Sequence, residues 1–181
     1  DTYCLRPSQI QIEVPINERA FIPKKEKISY RKEKPLIDLV VNEGELKLSI
    51  EFGLFRRNSN EKGTINKTTR LIKMLNDMIR VALESYFANT RGLFICVADN
   101  KMIGHQIRNK MIAPFPSDYV ITNDIINRLL CQKTNDFDKR FLNVFQPLKK
   151  EIRSQLIVNQ ELVASEIECE TRLLIWEVSI L

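Results

Sequence analysis

Glycine is scarce in this sequence, with five in 181 residues. That is too few for a glycine-rich phosphate cradle, and neither GxGxxG nor GxxxxGK[ST] occurs. There is one histidine, His105, which follows Gly104 in a turn-like stretch. With no serine or cysteine motif beside it, a nucleophilic triad has no support. The four cysteines, Cys4, Cys96, Cys131 and Cys169, are far apart, so no CxxC-type zinc pair exists. Such usage fits a reducing compartment, and a cytoplasmic location is expected. Cys96 lies inside the apolar run Leu93–Val97 and reads as a small buried hydrophobe. No run of about 18 uncharged apolar residues is present, so no membrane span is expected. No signal peptide is read at the start. The first residue is Asp1 rather than Met, so missing N-terminal residues, a helix among them, are allowed for.

What is present is an ordinary globular balance, 44% hydrophobic and 28% charged, which excludes disordered and low-complexity classes. No repeat or linker divides the chain, so one domain is expected over residues 1–181. Net charge is +5, from 28 Lys+Arg against 23 Asp+Glu, which permits a polyanionic partner. Part of the excess is local. Lys24, Lys25, Lys27, Arg31, Lys32 and Lys34 precede the first convincing strand pair, and Arg56, Arg57, Lys62, Lys67, Arg70 and Lys73 follow it. Either run alone reads most plainly as a solvated basic segment.

Periodicity sets out the elements. Ile10–Ile16 alternates and ends near Pro15, an edge-like strand. Leu36–Val41 and Leu46–Phe52 flank the turn residues Asn42–Glu45 and predict a β-hairpin. In its second strand Leu46, Leu48, Ile50 and Phe52 share one face, and Lys47, Ser49 and Glu51 share the other. Residues 56–67 read as a loop. Thr68–Tyr86 has helical spacing, with Leu71, Met74 or Leu75, Met78 and Ala82 as the apolar stripe. Arg70, Lys73, Asp77 and Arg80 fall on the polar side of that helix. Leu93–Ala98 reads as a strand buried on both faces. Residues 104–122 give no clear period. Helices are expected over Asp124–Cys131, over Asp136–Arg153 with Pro147 disturbing or ending it, and over Leu156–Glu166. Thr171–Leu181 reads as a final strand. The fold class is α/β of the mixed α+β kind, a central mixed sheet flanked by helices.

Two acids stand out. Asp38 interrupts the apolar strand LIDLVV, where an unpaired carboxylate is costly. Glu51 is its counterpart near the end of the next strand, 13 residues on. Two carboxylates converging there would make an oxygen-ligand site suited to Mg²⁺ or Mn²⁺. The competing reading turns both to solvent on a polar sheet face.

The wider arrangement is a strand with Glu13, then IDLVV, a turn, SIEFGLFRR, an amphipathic helix with Asp77, and GLFICVAD. It resembles the PD-(D/E)xK nuclease superfamily, whose domains are restriction-endonuclease-like, over roughly residues 10–100. The resemblance implies a core of four strands and a helix, followed here by a helical C-terminal part and the strand at 171–181. It implies that Asp38 and Glu51 bind the metal and that a lysine two residues after the glutamate assists the attacking water. That position is Gly53, a departure from the pattern. Arg56 is then the first candidate for a relocated catalytic cation, with Arg57 and Lys67 as alternatives. A lysine placed at 53 is expected to restore cleavage wherever the metal site is intact. Arg57, Lys67, Arg70 and Lys73 are candidate DNA contacts, against a salt-bridged solvated face. Glu13 reads more plainly as a solvated strand residue, and Trp176 as packing.

Three functions follow. The first is a metal-dependent nuclease-like domain hydrolysing DNA phosphodiester bonds. The second is a catalytically inactive member of the same fold, serving as a nucleic-acid-binding or protein-interaction module, for which Gly53 speaks. The third is an unrelated α/β protein whose sheet mimics the pattern. A homodimer is compatible with the first two.

Overall fold

The expected hairpin forms, somewhat longer than its alternation suggested. In the computed structural model, which describes residues 5–23, 35–55, 66–107, 110–162 and 171–181, β2 (Leu36–Glu43) pairs antiparallel with β3 (Leu46–Phe55). Gly44 turns the chain at φ +54°, a left-handed geometry that glycine adopts without a Cβ clash. Before them, β1 (Ile10–Pro15) lies antiparallel to β2.

Helix α1 (Lys67–Ala88) then carries the chain to β4 (Arg91–Asp99), which is parallel to β3. The helix starts where the Asn66 side chain accepts a bond from Thr69 N, relieving an otherwise unpaired amide. It stops at Asn89, which adopts the left-handed conformation at φ 55° and ψ 51°. The remaining strands are β5 (Tyr119–Ile121), β6 (Ile152–Leu162) and β7 (Thr171–Ile180). They complete a seven-stranded mixed sheet of order β1-β2-β3-β4-β7-β6-β5. Between β5 and β6, α2 (Asn123–Ile125) runs through a π-helical turn into α3 (Cys131–Lys133), followed by α4 (Asp136–Phe145).

α1 packs across β3, β4 and β7, and α4 packs on α1. Phe55, Phe94, Cys96, Leu174 and Trp176 meet Leu71, Met74, Leu75 and Met78 in the core. Trp176 sits in an aromatic group with Phe94, Phe115 and Tyr119, and its Nε1 donates to the Ser117 carbonyl at 2.8 Å. Among the described residues no helix is long and apolar enough to cross a membrane.

Three expectations need correction. The polar face of β3 is not turned to solvent. Ser49, Glu51, Gly53 and Phe55 are buried, and of the apolar face Ile50 is buried while Phe52 is 47% and Leu54 61% exposed. The buried polar groups are tolerated because each has a partner: Thr90 lies 2.7 Å from the Ser49 hydroxyl, and Arg80 reaches Glu51. Second, the helix expected to run from Asp136 to Arg153 ends at Phe145. A short 3₁₀ turn with Pro147, which has no amide to donate, follows, and Lys149 then breaks the geometry at φ 52°. Third, the described part of Leu156–Glu166 is strand, not helix. From Ile152 its burial alternates with period two, and β7 supplies a paired edge that outweighs local helix preference.

Replacing Trp176 by Phe should cost about 2 kcal/mol, from lost volume and an orphaned Ser117 carbonyl. Urea unfolding followed by far-UV circular dichroism reads this directly. A change near zero would contradict the packing described.

Candidate functional site

The pairing of Leu39 with Ile50 brings Asp38 beside Glu51 across β2 and β3. The two carboxyl groups are in hydrogen-bonding contact, and Asp38 Oδ2 also accepts from Phe52 N at 2.7 Å. The two acids singled out in the sequence therefore do meet. Asp38 is half-buried, but Glu51 is only 2% exposed, beneath α1.

The space next to Glu51 is filled by Arg80. Its Nη1 lies 3.3 Å from both Glu51 oxygens, and its Nη2 lies 3.3 Å from Asp138 Oδ1 and 3.3 Å from Asp77 Oδ1. One guanidinium thus joins carboxyl groups from β3, α1 and α4. The rings of Phe137 and Phe141 flank it, with centroids 5.8 and 5.5 Å away. Asn135 orients Asp138: its Nδ2 donates to Asp138 Oδ2 at 2.8 Å, and its Oδ1 accepts from Asp138 N at 2.9 Å.

Burial pushes the Glu51 carboxyl up to about 9; Arg80 opposes this, and Asp38 and Asp77 reinforce it. At neutral pH Glu51 therefore carries a proton, which it can share with Asp38. Burial also raises Asp77, to about 6, against the pull of Arg80 and Lys73.

A divalent ion at Asp38 and Glu51 would have to displace that proton and the Arg80 contacts. Among the described residues, no group of three His, Cys, Asp or Glu side chains is placed to hold an ion. The residues present do not fit the Mg²⁺ or Mn²⁺ that the resemblance implies.

Gly53 is buried, and a Cβ there would come within 2.7 Å of Phe94 Cζ. Phe94 is itself fully buried against Phe55 and Trp176, so a lysine at 53 has no room unless that aromatic group moves. The geometry speaks against the restored cleavage expected of Gly53→Lys.

No family model, curated protein or solved structure matches the chain. The reading of its site therefore rests on its own geometry.

Arg56 and Arg57 lie outside the described residues. Lys67, Arg70 and Lys73 occupy the first two turns of α1. Arg70 Nη1 donates to the Leu54 carbonyl at 3.0 Å, tying this end of α1 to the end of β3. Lys73 is exposed and close enough to Asp77 to favour its ionised form. Thr68 Oγ1 is 3.2 Å from His105 Nε2, and burial and the charge of Lys67 lower the pKa of that imidazole. Glu13 is exposed on β1, and Lys47 is exposed near the β2–β3 turn. Cys96 is a buried free thiol, as its apolar run implied.

The residue pattern places Arg80 and Asp77 on the polar side of α1 and does not single out Asp138. Asp77 is only 3% exposed. The Asp77–Arg80 spacing of three was a visible sign of a pair, but nothing in the sequence joined it to Glu51 or Asp138.

The raised carboxyl of Glu51 has a consequence for stability. Between pH 4.5 and about 9 the folded protein holds a proton that the unfolded chain has released, so stability falls as pH rises. Glu51→Gln mimics the protonated acid and removes this dependence. The difference in melting temperature, variant minus wild type, should grow steadily from pH 5 to pH 9. A difference independent of pH would show that Glu51 is ionised throughout.

Proposed function

We propose that this chain is a restriction-endonuclease-like domain that binds DNA without hydrolysing it. The element order supports the kinship: an antiparallel β1–β2–β3 meander, a crossing helix and a parallel β4. So does the meeting of Asp38 and Glu51 on neighbouring strands. The observation that carries the loss of hydrolysis is the engagement of Glu51 by Arg80. A carboxyl group that is protonated and held by a guanidinium is a poor ligand for the ion that would activate water. Gly53, packed under Phe94, removes the amine as well.

DNA as partner is supported by the net charge of +5 and by the cations that open α1. Lys67, Arg70 and Lys73 stand three residues apart, so they follow one side of the helix over nearly two turns. Phosphates bound there would release condensed counterions, which makes the affinity depend steeply on salt. Arg70 is already committed to Leu54, so Lys67 and Lys73 are the residues to test. Hydrolysis with Mg²⁺ or Mn²⁺, using Arg56 as the relocated cation, is the second reading, favoured by the Asp38–Glu51 contact alone.

Gel-shift and anisotropy titrations of a short duplex over a series of salt concentrations test the proposal. Binding should weaken with salt, and Lys67→Ala with Lys73→Ala should lower the slope of log K against log salt by up to about 1.8. The duplex should remain intact in Mg²⁺ and in Mn²⁺. Cleavage that chelator or Asp38→Asn abolishes would establish the second reading, and absence of any shift at low salt would remove DNA as the partner.

A further inference from the structure

We infer that Arg80 is the resident cation of this domain, standing among Glu51, Asp77 and Asp138 and sharing Glu51 with the Asp38–Glu51 pair on which the resemblance places a divalent ion. The inference rests on the contacts of Arg80 and on no property of DNA, so it stands or falls separately from the identity of the partner.

Three features carry it. The carboxyl groups come from three elements, β3, α1 and α4, and all approach one guanidinium at 3.3 Å. A shared cation is the one thing these separate acids have in common. Second, the rings of Phe137 and Phe141 of α4 lie against the guanidinium. A second cation entering beside Arg80 would meet strong repulsion at this depth, so an ion and Arg80 exclude one another. Third, among the described residues Arg80 is the cation that reaches Glu51, so removing it would leave Glu51 against Asp38 without that charge, an arrangement costly for a buried acid. Arg80 supplies the positive charge that Glu51, Asp77 and Asp138 share.

Three forms of the full chain, wild type, Arg80→Ala and Arg80→Lys, test it. Each is melted in EDTA and in Mn²⁺, and Mn²⁺ binding is followed by electron paramagnetic resonance. Wild type should bind no Mn²⁺ and melt at the same temperature in both. Arg80→Ala should melt roughly 10 °C lower in EDTA and in Mn²⁺ alike, because no group of three acids among the described residues is placed to hold an ion. Arg80→Lys, which keeps a charge but loses the fork, should fall between and keeps the test readable if Arg80→Ala does not fold. Mn²⁺ binding by wild type that Asp38→Asn removes would overturn the inference. So would an Arg80→Ala or Arg80→Lys protein as stable as wild type.

Discussion

The guanidinium of Arg80 holds together the parts of the domain that hydrophobic packing alone would leave mismatched. β3 presents Ser49 and Glu51, not its leucines, to the helix that covers it. A sheet face of that kind needs a charged partner within the layer, and α1 supplies it from Arg80 while α4 adds Asp138 and two aromatic rings. Burying such a group is rarely a net gain in stability, since desolvation consumes much of the attraction. What it provides is register: only one rotation of α1 about its axis puts Arg80 between Glu51 and Asp138.

The same arrangement explains the protonation state. The burial of Glu51 outweighs the field of one arginine already shared with two other acids. A proton on Glu51 lowers the negative charge of the layer and lets Asp38 lie against it. In a metal-dependent site the balance would run the other way, with a dication keeping both acids ionised. Gly53 suits the same packing, because the space a lysine would cross is taken by Phe94, part of the aromatic group around Trp176.

Much of this architecture was legible in the residue pattern. The hairpin, α1, β4 and β7 follow from alternation, from the helical stripe through Leu71 and Met78, and from the continuous run Leu93–Ala98. Asp38 and Glu51 were conspicuous as acids in apolar strands, and they meet. β6 was misread because Leu156–Leu162 carries residues that suit either state, and its partner β7 is remote in sequence. The buried face of β3 was hidden for a related reason. Hydrophobicity alone would bury Phe52 and Leu54, while the actual face is set by a pairing between Glu51 and an arginine 29 residues away. Asp138 joins from still farther along the chain, 58 residues beyond Arg80.

The most direct test is crystallographic. Crystals of wild-type protein grown in Mn²⁺, with data collected to exploit its anomalous scattering, would show what occupies the centre of the cluster. The account predicts no anomalous peak within about 2.6 Å of the Asp38 or Glu51 carboxyl oxygens, and the Arg80 guanidinium in contact with Glu51, Asp77 and Asp138. A Mn²⁺ ion bound by Asp38 and Glu51, with Arg80 swung away, would contradict it.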